Sequence, residues 1–147
     1  MSPWRYPVAN NPRDVRRTCV AVEADLRAAG VSSGAAARME LICAEVLNNI
    51  VEHAMPGQPD GWIELQIDLA APGRLTFLDN GAPMPDGGRR QISDPDMSCP
   101  PDMNGPKETL PEGGYGWLLI RSLAEHVEYD RTDGKNSVRI TLPPDLS

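Results

Sequence analysis

The sequence predicts one α+β domain in which helices pack against a sheet, and three observations indicate this fold class. Between residues 33 and 54, apolar side chains recur at helical spacing. Residues 62–69 instead alternate between apolar and polar, as a strand with one buried face does. Two segments later in the chain, His126–Arg131 and Ser137–Leu142, flank Asp133-Gly134 and predict a closing hairpin. At 147 residues, the whole chain (1–147) suits a single core.

The N-terminal part of the chain predicts a short strand followed by two helices. Trp4–Ala9 is expected to form an edge strand. Asn11-Pro12 is a helix-start signal, because proline is favoured at the first helical position, and this helix should run to about Ala29. A serine at position 32 or 33 can cap the second helix, which should extend to about Ala54.

The second helix carries a polar stripe. Glu45, Asn49 and His53 follow one another at intervals of four residues, so a helix places them on one face. Apolar residues border this stripe, so the carboxylate of Glu45 and the carboxamide of Asn49 would be held at the edge of the core. For this pair taken alone, an ordinary solvent-facing helix surface is the simpler interpretation.

The middle of the chain predicts a hairpin that ends in a carboxylate. Trp62–Leu69 is the first strand, and Ala71-Pro72-Gly73 is expected to turn the chain into the second, Leu75–Leu78. Asp79 follows this strand and could accept a hydrogen bond from an exocyclic amine, a contact that selects adenine over guanine. Gly81 would let the backbone turn close to a bound base.

A segment rich in proline and glycine separates this hairpin from the next helix. Residues 82–114 show no periodicity, and a loop of this length is either a functional lid or disordered. Gly113, Gly114 and Gly116 precede a helical apolar run at Trp117–Ala124. Their backbone N–H groups could approach phosphates at a positive helix end, although ordinary turn glycines are the alternative.

Composition argues against several classes of function. The net charge of -7, without a long basic run, argues against nucleic acid or anionic membrane as the main partner. No apolar run approaches 18 residues, so a soluble cytoplasmic protein is expected. Cys19, Cys43 and Cys99 are widely spaced, which favours reduced thiols. With only His53 and His126 besides, a structural zinc site is not expected.

In their order along the chain, these motifs resemble the GHKL ATPases, of the gyrase, heat-shock chaperone, histidine kinase and MutL type. Glu45–Ala54 is similar to their N box, Asp79–Gly81 to their first glycine box and Gly113–Gly116 to their second. The similarity extends from about Tyr6 to Leu142 and is strongest to the small anti-sigma factor kinases of the RsbW and SpoIIAB type.

The resemblance implies a two-layer sandwich of helices on one face of a mixed sheet. It also implies that ATP and Mg²⁺ bind under a lid at about residues 82–114 and that the γ-phosphate is transferred to a serine. In that family the acceptor is a small STAS-type anti-sigma factor antagonist, and the kinase otherwise holds a sigma factor inactive. Homodimerisation is plausible by the same resemblance.

Carried over by position, Glu45 would be the general base, Asn49 the magnesium ligand and Asp79 the residue that reads adenine. The backbone contacts to the nucleotide would come from Gly81, Gly113, Gly114 and Gly116. Leu110-Pro111-Glu112 stand where many relatives have an arginine. Two interpretations therefore stay open: an ATP-dependent protein serine kinase that is also an anti-sigma factor, or a noncatalytic nucleotide-binding switch module that selects partners. A simple ATP hydrolase is a third.

Overall fold

The computed structural model describes residues 3–54, 60–70, 73–84 and 114–144, and this part of the chain contains five strands and three α-helices. The strands are β1 (Trp4–Val8), β2 (Ile63–Asp68), β3 (Arg74–Asp79), β4 (His126–Thr132) and β5 (Lys135–Thr141). The helices are α1 (Pro12–Ala28), α2 (Ser33–Asn49) and α3 (Gly114–Leu123), and a π-helical segment, Ile50–Ala54, follows α2 directly.

The caps predicted for the first two helices are confirmed. Asn11 caps α1, and its Oδ1 accepts a 2.8 Å hydrogen bond from the backbone N–H of Asp14. Gly30, at φ +94°, lies in the left-handed region just beyond the end of α1. Ser32 caps α2, since its hydroxyl oxygen accepts from the N–H of Ala35 at 3.2 Å. These local signals set where both helices begin.

The sheet has the strand order β1-β2-β3-β5-β4, and all four pairings are antiparallel. The α+β fold class is confirmed, but the strand directions differ from the mixed sheet that the resemblance implied. The connection through α3 does bring β4 parallel to β3. Because β5 returns between these two strands and pairs with both, no parallel neighbours result.

One face of the sheet and the apolar sides of the helices share a single core. Along β2, Ile63, Leu65 and Ile67 are buried, whereas Glu64 and Gln66 on the opposite face are partly exposed. The alternation predicted for this strand is therefore confirmed, and the two-layer arrangement follows from it. The largest fully buried side chains are Phe77, Leu26, Met39, Ile42, Leu47, Leu65, Ile67, Leu75, Ile120, Ile140 and Leu142.

The closing hairpin sets the position of one residue beside the predicted site. Asp133 and Gly134 have φ values of +54° and +75°, the pair of left-handed residues that a two-residue hairpin turn requires. This turn joins β4 to β5 and confirms the predicted hairpin. In the resulting register Asn136 lies directly opposite Asp79, the last residue of the central strand β3.

Candidate functional site

The last two turns of α2 carry the polar residues predicted from the four-residue spacing. Ile42 and Val46 are fully buried on the core side of this helix. Glu45 is half-buried, and Asn49 is only 8% exposed. The Nδ2 of Asn49 is buried and has no hydrogen-bond partner in the described part of the chain. An unpaired buried donor costs about 1–3 kcal/mol, so the stability of the fold does not explain why a carboxamide occupies this buried position.

The helical period changes directly after Asn49, before the predicted stripe reaches His53. Ile50–Ala54 is π-helical, and a π-helix closes its hydrogen bonds one residue later than an α-helix. The imidazole of His53 is 49% exposed, with its Nε2 3.8 Å from Glu52 Oε2. That His53 shares a face with Glu45 and Asn49 stays a prediction.

Asp79 ends β3 as a buried carboxylate that is 2% exposed. Its Oδ1 accepts two hydrogen bonds, from the backbone N–H of Gly81 at 2.7 Å and from Asn136 Nδ2 at 3.0 Å. Burial raises the pKa of Asp79 above its ordinary value, although both hydrogen bonds and the charge of Arg131 act to lower it. The carboxylate is therefore fixed in orientation and largely removed from water.

Three residues beside Asp79 were not predicted from the sequence. Asn136 is 3% exposed and bonds directly to the carboxylate. Its Oδ1 accepts from the hydroxyl of Tyr129 at 2.6 Å and from Arg131 Nη1 at 2.9 Å. The one sequence signal was an asparagine near the start of a strand, since asparagine is depleted in strands. That Asn136 lies opposite Asp79 depends on the pairing of β3 with β5, which the sequence does not reveal.

Among the glycines predicted to contact a nucleotide, Gly81 is fixed by hydrogen bonds on both sides. Its N–H donates to Asp79, and its carbonyl oxygen accepts from Arg131 Nη1 at 2.9 Å. Gly114 is the first residue of α3 and Gly116 the third, so both lie in the first turn of a helix that packs against α2. Gly113 and the predicted lid, apart from residues 82–84 and 114, lie outside the described residues.

Asn80, the middle residue of the first glycine box, has a structural role. Its Oδ1 accepts from the backbone N–H of Trp62 at 2.8 Å, and its Nδ2 donates to the carbonyl of Asp60 at 3.3 Å. These contacts tie the start of β2 to the end of β3. Asn80 thus helps to hold Asp79 at the end of its strand.

Positive charge follows the second glycine box on α3. Arg121, two turns into the helix, is partly buried, and its Nε and Nη1 are buried without hydrogen-bond partners among the described residues. Helix α3 packs on α2, the helix that carries Glu45 and Asn49. In the described part of the chain no hydrogen bond links either of these two residues to Asp79.

The thiols behave as core residues. Cys19 and Cys43 are buried free thiols, and Cys99 lies outside the described residues. Burial raises the pKa of Cys19 to about 11 and that of Cys43 well above its ordinary value. Within the ranges that the structure covers, no cluster of three or more histidine, cysteine or acidic side chains could hold a metal ion.

The sequence as a whole matches a known family. The model for the histidine kinase-like ATPase domain covers residues 8–142. The chain belongs to this family. The predicted resemblance to the GHKL ATPases is accordingly confirmed, over nearly the length expected from the motifs.

The chain is also similar in sequence to a named protein kinase. The chain is 32% identical over 105 residues to the serine/threonine-protein kinase BtrW of Bordetella bronchiseptica. This match covers 68% of the chain and 66% of that kinase, just under two thirds of its length. The relative is a kinase by name, which makes kinase-like activity the relevant chemistry to test in this chain.

Solved structures support the fold. The blue-light activated histidine kinase EL346 of Erythrobacter litoralis matches with a TM-score of 0.52 and 24% identity, over 80% of this chain and 33% of that one. Its isolated histidine kinase domain matches with a TM-score of 0.52 and 21% identity, over 90% of this chain and 60% of the other. At these identities the likeness concerns the fold alone. None of the helices that the structure describes is long and apolar enough to cross a membrane.

Proposed function

We propose that the protein is an ATP-dependent protein serine kinase that also acts as an anti-sigma factor. The observation that carries this proposal is the buried carboxylate of Asp79, fixed at the end of a central strand within a histidine kinase-like ATPase fold. A carboxylate removed from water needs a polar partner, and a ligand with an exocyclic amine supplies one. In this proposal the ligand is ATP.

Asp79 would recognise the adenine base. Both hydrogen bonds within the protein are accepted by Oδ1, from Gly81 and Asn136, so Oδ2 is the oxygen to which the N6 amine would donate. A hydrogen bond to a charged acceptor contributes about 1.5–3 kcal/mol. This contact alone would give a substantial preference for a base that carries an amine at this position.

Asn49 fits the magnesium ion that accompanies ATP. Its carboxamide is buried, one terminus has no partner, and a half-turn about its last side-chain bond presents oxygen instead of nitrogen. An amide oxygen is a hard ligand of the kind that Mg²⁺ accepts together with water and phosphate oxygens. Bound there, the ion would neutralise the charge that develops on the phosphates.

Glu45 would act as the general base. It lies one helical turn before Asn49, about 6 Å along the axis, and is half-buried on the same face. In the transfer, the serine oxygen of the acceptor forms a bond to the γ-phosphorus while the bond to the bridging oxygen of ADP breaks. The serine proton passes to Glu45. The backbone N–H groups at Gly113, Gly114 and Gly116 would contact the phosphates at the start of α3.

The acceptor we propose is a small STAS-type anti-sigma factor antagonist, with a sigma factor as the alternative partner. The support is the resemblance of the motifs to anti-sigma factor kinases and the identity shared with a serine/threonine-protein kinase. A noncatalytic switch module remains the second candidate, because Leu110-Pro111-Glu112 supply no cation before the second glycine box. The two candidates differ in whether the γ-phosphate of ATP is transferred to the acceptor protein.

The experiment compares Glu45→Gln with Glu40→Gln, since both glutamates are half-buried on α2 and face different directions. Binding of ATP with Mg²⁺ is measured by calorimetry, and transfer of labelled γ-phosphate to a candidate STAS protein by autoradiography. We expect Glu45→Gln to bind ATP and transfer at least a hundredfold more slowly, while Glu40→Gln transfers normally. Binding without transfer in the wild type would favour the switch module. Absence of Mg²⁺-dependent ATP binding would exclude both candidates.

A further inference from the structure

The hydrogen bonds around Asn136 are complete. Its Nδ2 donates to Asp79 Oδ1 at 3.0 Å and to the carbonyl of Ala82 at 2.8 Å, and a longer contact reaches the carbonyl of Gly81 at 3.4 Å. Its Oδ1 accepts from Tyr129 and Arg131. A carboxamide has two donor hydrogens and two acceptor positions, so all four are used within the protein. Asn136 therefore has no group left for a ligand and acts only on its neighbours.

Tyr129 and Arg131 determine which way this carboxamide points. Both are donors, and both meet Oδ1, so a turned amide would bring its NH₂ group against the hydroxyl of Tyr129 and the guanidinium of Arg131. The same turn would bring the amide oxygen against the carboxylate of Asp79. The two donors on β4 thus keep the amide nitrogen directed at Asp79.

Tyr129 also holds the backbone that follows the carboxylate. Its hydroxyl oxygen accepts from the N–H of Met84 at 3.0 Å while its O–H donates to Asn136. Together with the bonds to the carbonyls of Gly81 and Ala82, this attaches the segment Gly81–Met84 to β4 and β5. A phenylalanine at this position could make neither hydrogen bond of the hydroxyl.

We propose that Tyr129, acting through Asn136, is a specificity-determining positioning residue that makes Asp79 present one carboxylate oxygen, and so selects adenine against guanine. Oδ1 is occupied by two donors, which leaves Oδ2 for a single amine. Adenine offers one amine at N6. Guanine offers the adjacent donors N1–H and N2–H₂, which a carboxylate binds best with both oxygens. A carboxylate with only Oδ2 available can bind the single amine of adenine but not both adjacent donors of guanine.

This inference rests on the proposed ATP binding and is tested by selectivity, not by affinity. The dissociation constants of ATP and GTP, each with Mg²⁺, are measured for the wild type, Tyr129→Phe and the control Tyr6→Phe. Tyr6 is a fair control because its hydroxyl also makes a short hydrogen bond, 2.7 Å to Asp25 Oδ2, at the opposite edge of the sheet. We expect Tyr129→Phe to reduce the preference for ATP over GTP about tenfold, and Tyr6→Phe to leave it unchanged.

A second variant keeps the inference open to refutation if Tyr129→Phe is poorly folded. Arg131→Met removes the other donor to Asn136 Oδ1 while keeping an apolar stem, and it should lower the ATP preference in the same direction. A parallel loss of ATP and GTP affinity, with their ratio unchanged in both variants, would refute the positioning role while leaving the proposed kinase intact. Absence of ATP binding by the wild type would instead refute the proposed function and this inference with it.

Discussion

Replacing Asp79 with asparagine separates the binding role of this residue from its structural role. The amide oxygen can still accept from Gly81 N–H and from Asn136 Nδ2, because these bonds fall on one atom. The amide nitrogen then takes the place of Oδ2 and turns a donor toward the donor amine of adenine. Loss of a charged acceptor, together with this clash, corresponds to about 2–4 kcal/mol, or a 30- to 1,000-fold weaker affinity for ATP.

The stability of the Asp79→Asn variant should not fall at pH 7. Each charge-assisted hydrogen bond that becomes neutral loses about 1 kcal/mol. The variant also avoids the cost of burying a charge. This gain outweighs the loss, since burial raises the pKa of Asp79 in spite of both bonds. Asp79 is 2% exposed, so solvent screens the effect little.

The sign of the pH dependence follows from the raised pKa. The folded wild type binds the Asp79 proton more tightly than the unfolded chain does, so this group favours folding below the ordinary pKa of an aspartate. That contribution is lost as the pH rises through the higher pKa of the folded state. The variant has no such group. Its free energy of unfolding should therefore rise relative to that of the wild type from acid toward neutral pH and then level off.

The assays are calorimetric titration with ATP and Mg²⁺ at pH 7, and urea unfolding from pH 3 to pH 8. Asp68→Asn is the control, since this aspartate ends the neighbouring strand β2 and is exposed. It should change neither quantity appreciably. A variant of Asp79 that binds ATP like the wild type would refute the assignment of the base contact. If the free energy of unfolding of Asp79→Asn falls relative to that of the wild type as the pH rises, the account of the burial of Asp79 is refuted.

Three further predictions concern Asn49, the α1 cap and the thiols. Asn49→Ala should lower Mg²⁺-dependent ATP affinity at least tenfold with little loss of stability, since an unpaired buried donor is removed. The control, Asn48→Ala, should not affect that affinity. Equal effects of the two changes in titrations would contradict the assignment of Asn49. Asn11→Ala should lower the free energy of unfolding by about 1 kcal/mol, measured in urea, because the Asp14 N–H loses its acceptor. Cys19 and Cys43 should react with a disulfide reagent only slowly below pH 9 in the folded protein and rapidly in urea; fast reaction of either in the native state would contradict their burial.

Local features of the molecule could be predicted from the sequence because they depend on residues close together in the chain. The caps at Asn11 and Ser32 follow from side chains that reach backbone groups three residues away. The turn at Asp133-Gly134 follows from the left-handed preference of both residues. The position of Asp79 at the end of a strand also followed from the sequence, whereas its role in binding stays a prediction.

The features that escaped prediction are non-local. Asn136 and Asp79 are 57 residues apart, and their contact exists only because β5 enters the sheet between β3 and β4. The contacts of Tyr129 with Met84 depend on the same arrangement. The π-helical segment after Asn49 was missed for a different reason, because a change of helical period over five residues gives no clear signal in the sequence.

The insertion of β5 between β3 and β4 also constrains how the chain can fold. Until β5 arrives, β3 has hydrogen-bonding partners on one side only, and the N-terminal half exposes an apolar sheet edge that invites aggregation. The central strand is completed by residues that leave the ribosome about 60 positions later. Because such distant pairings slow folding, the candidate site around Asp79 is among the last parts of the molecule to form. A nascent chain therefore acquires its proposed regulatory activity only after the closing hairpin has been made.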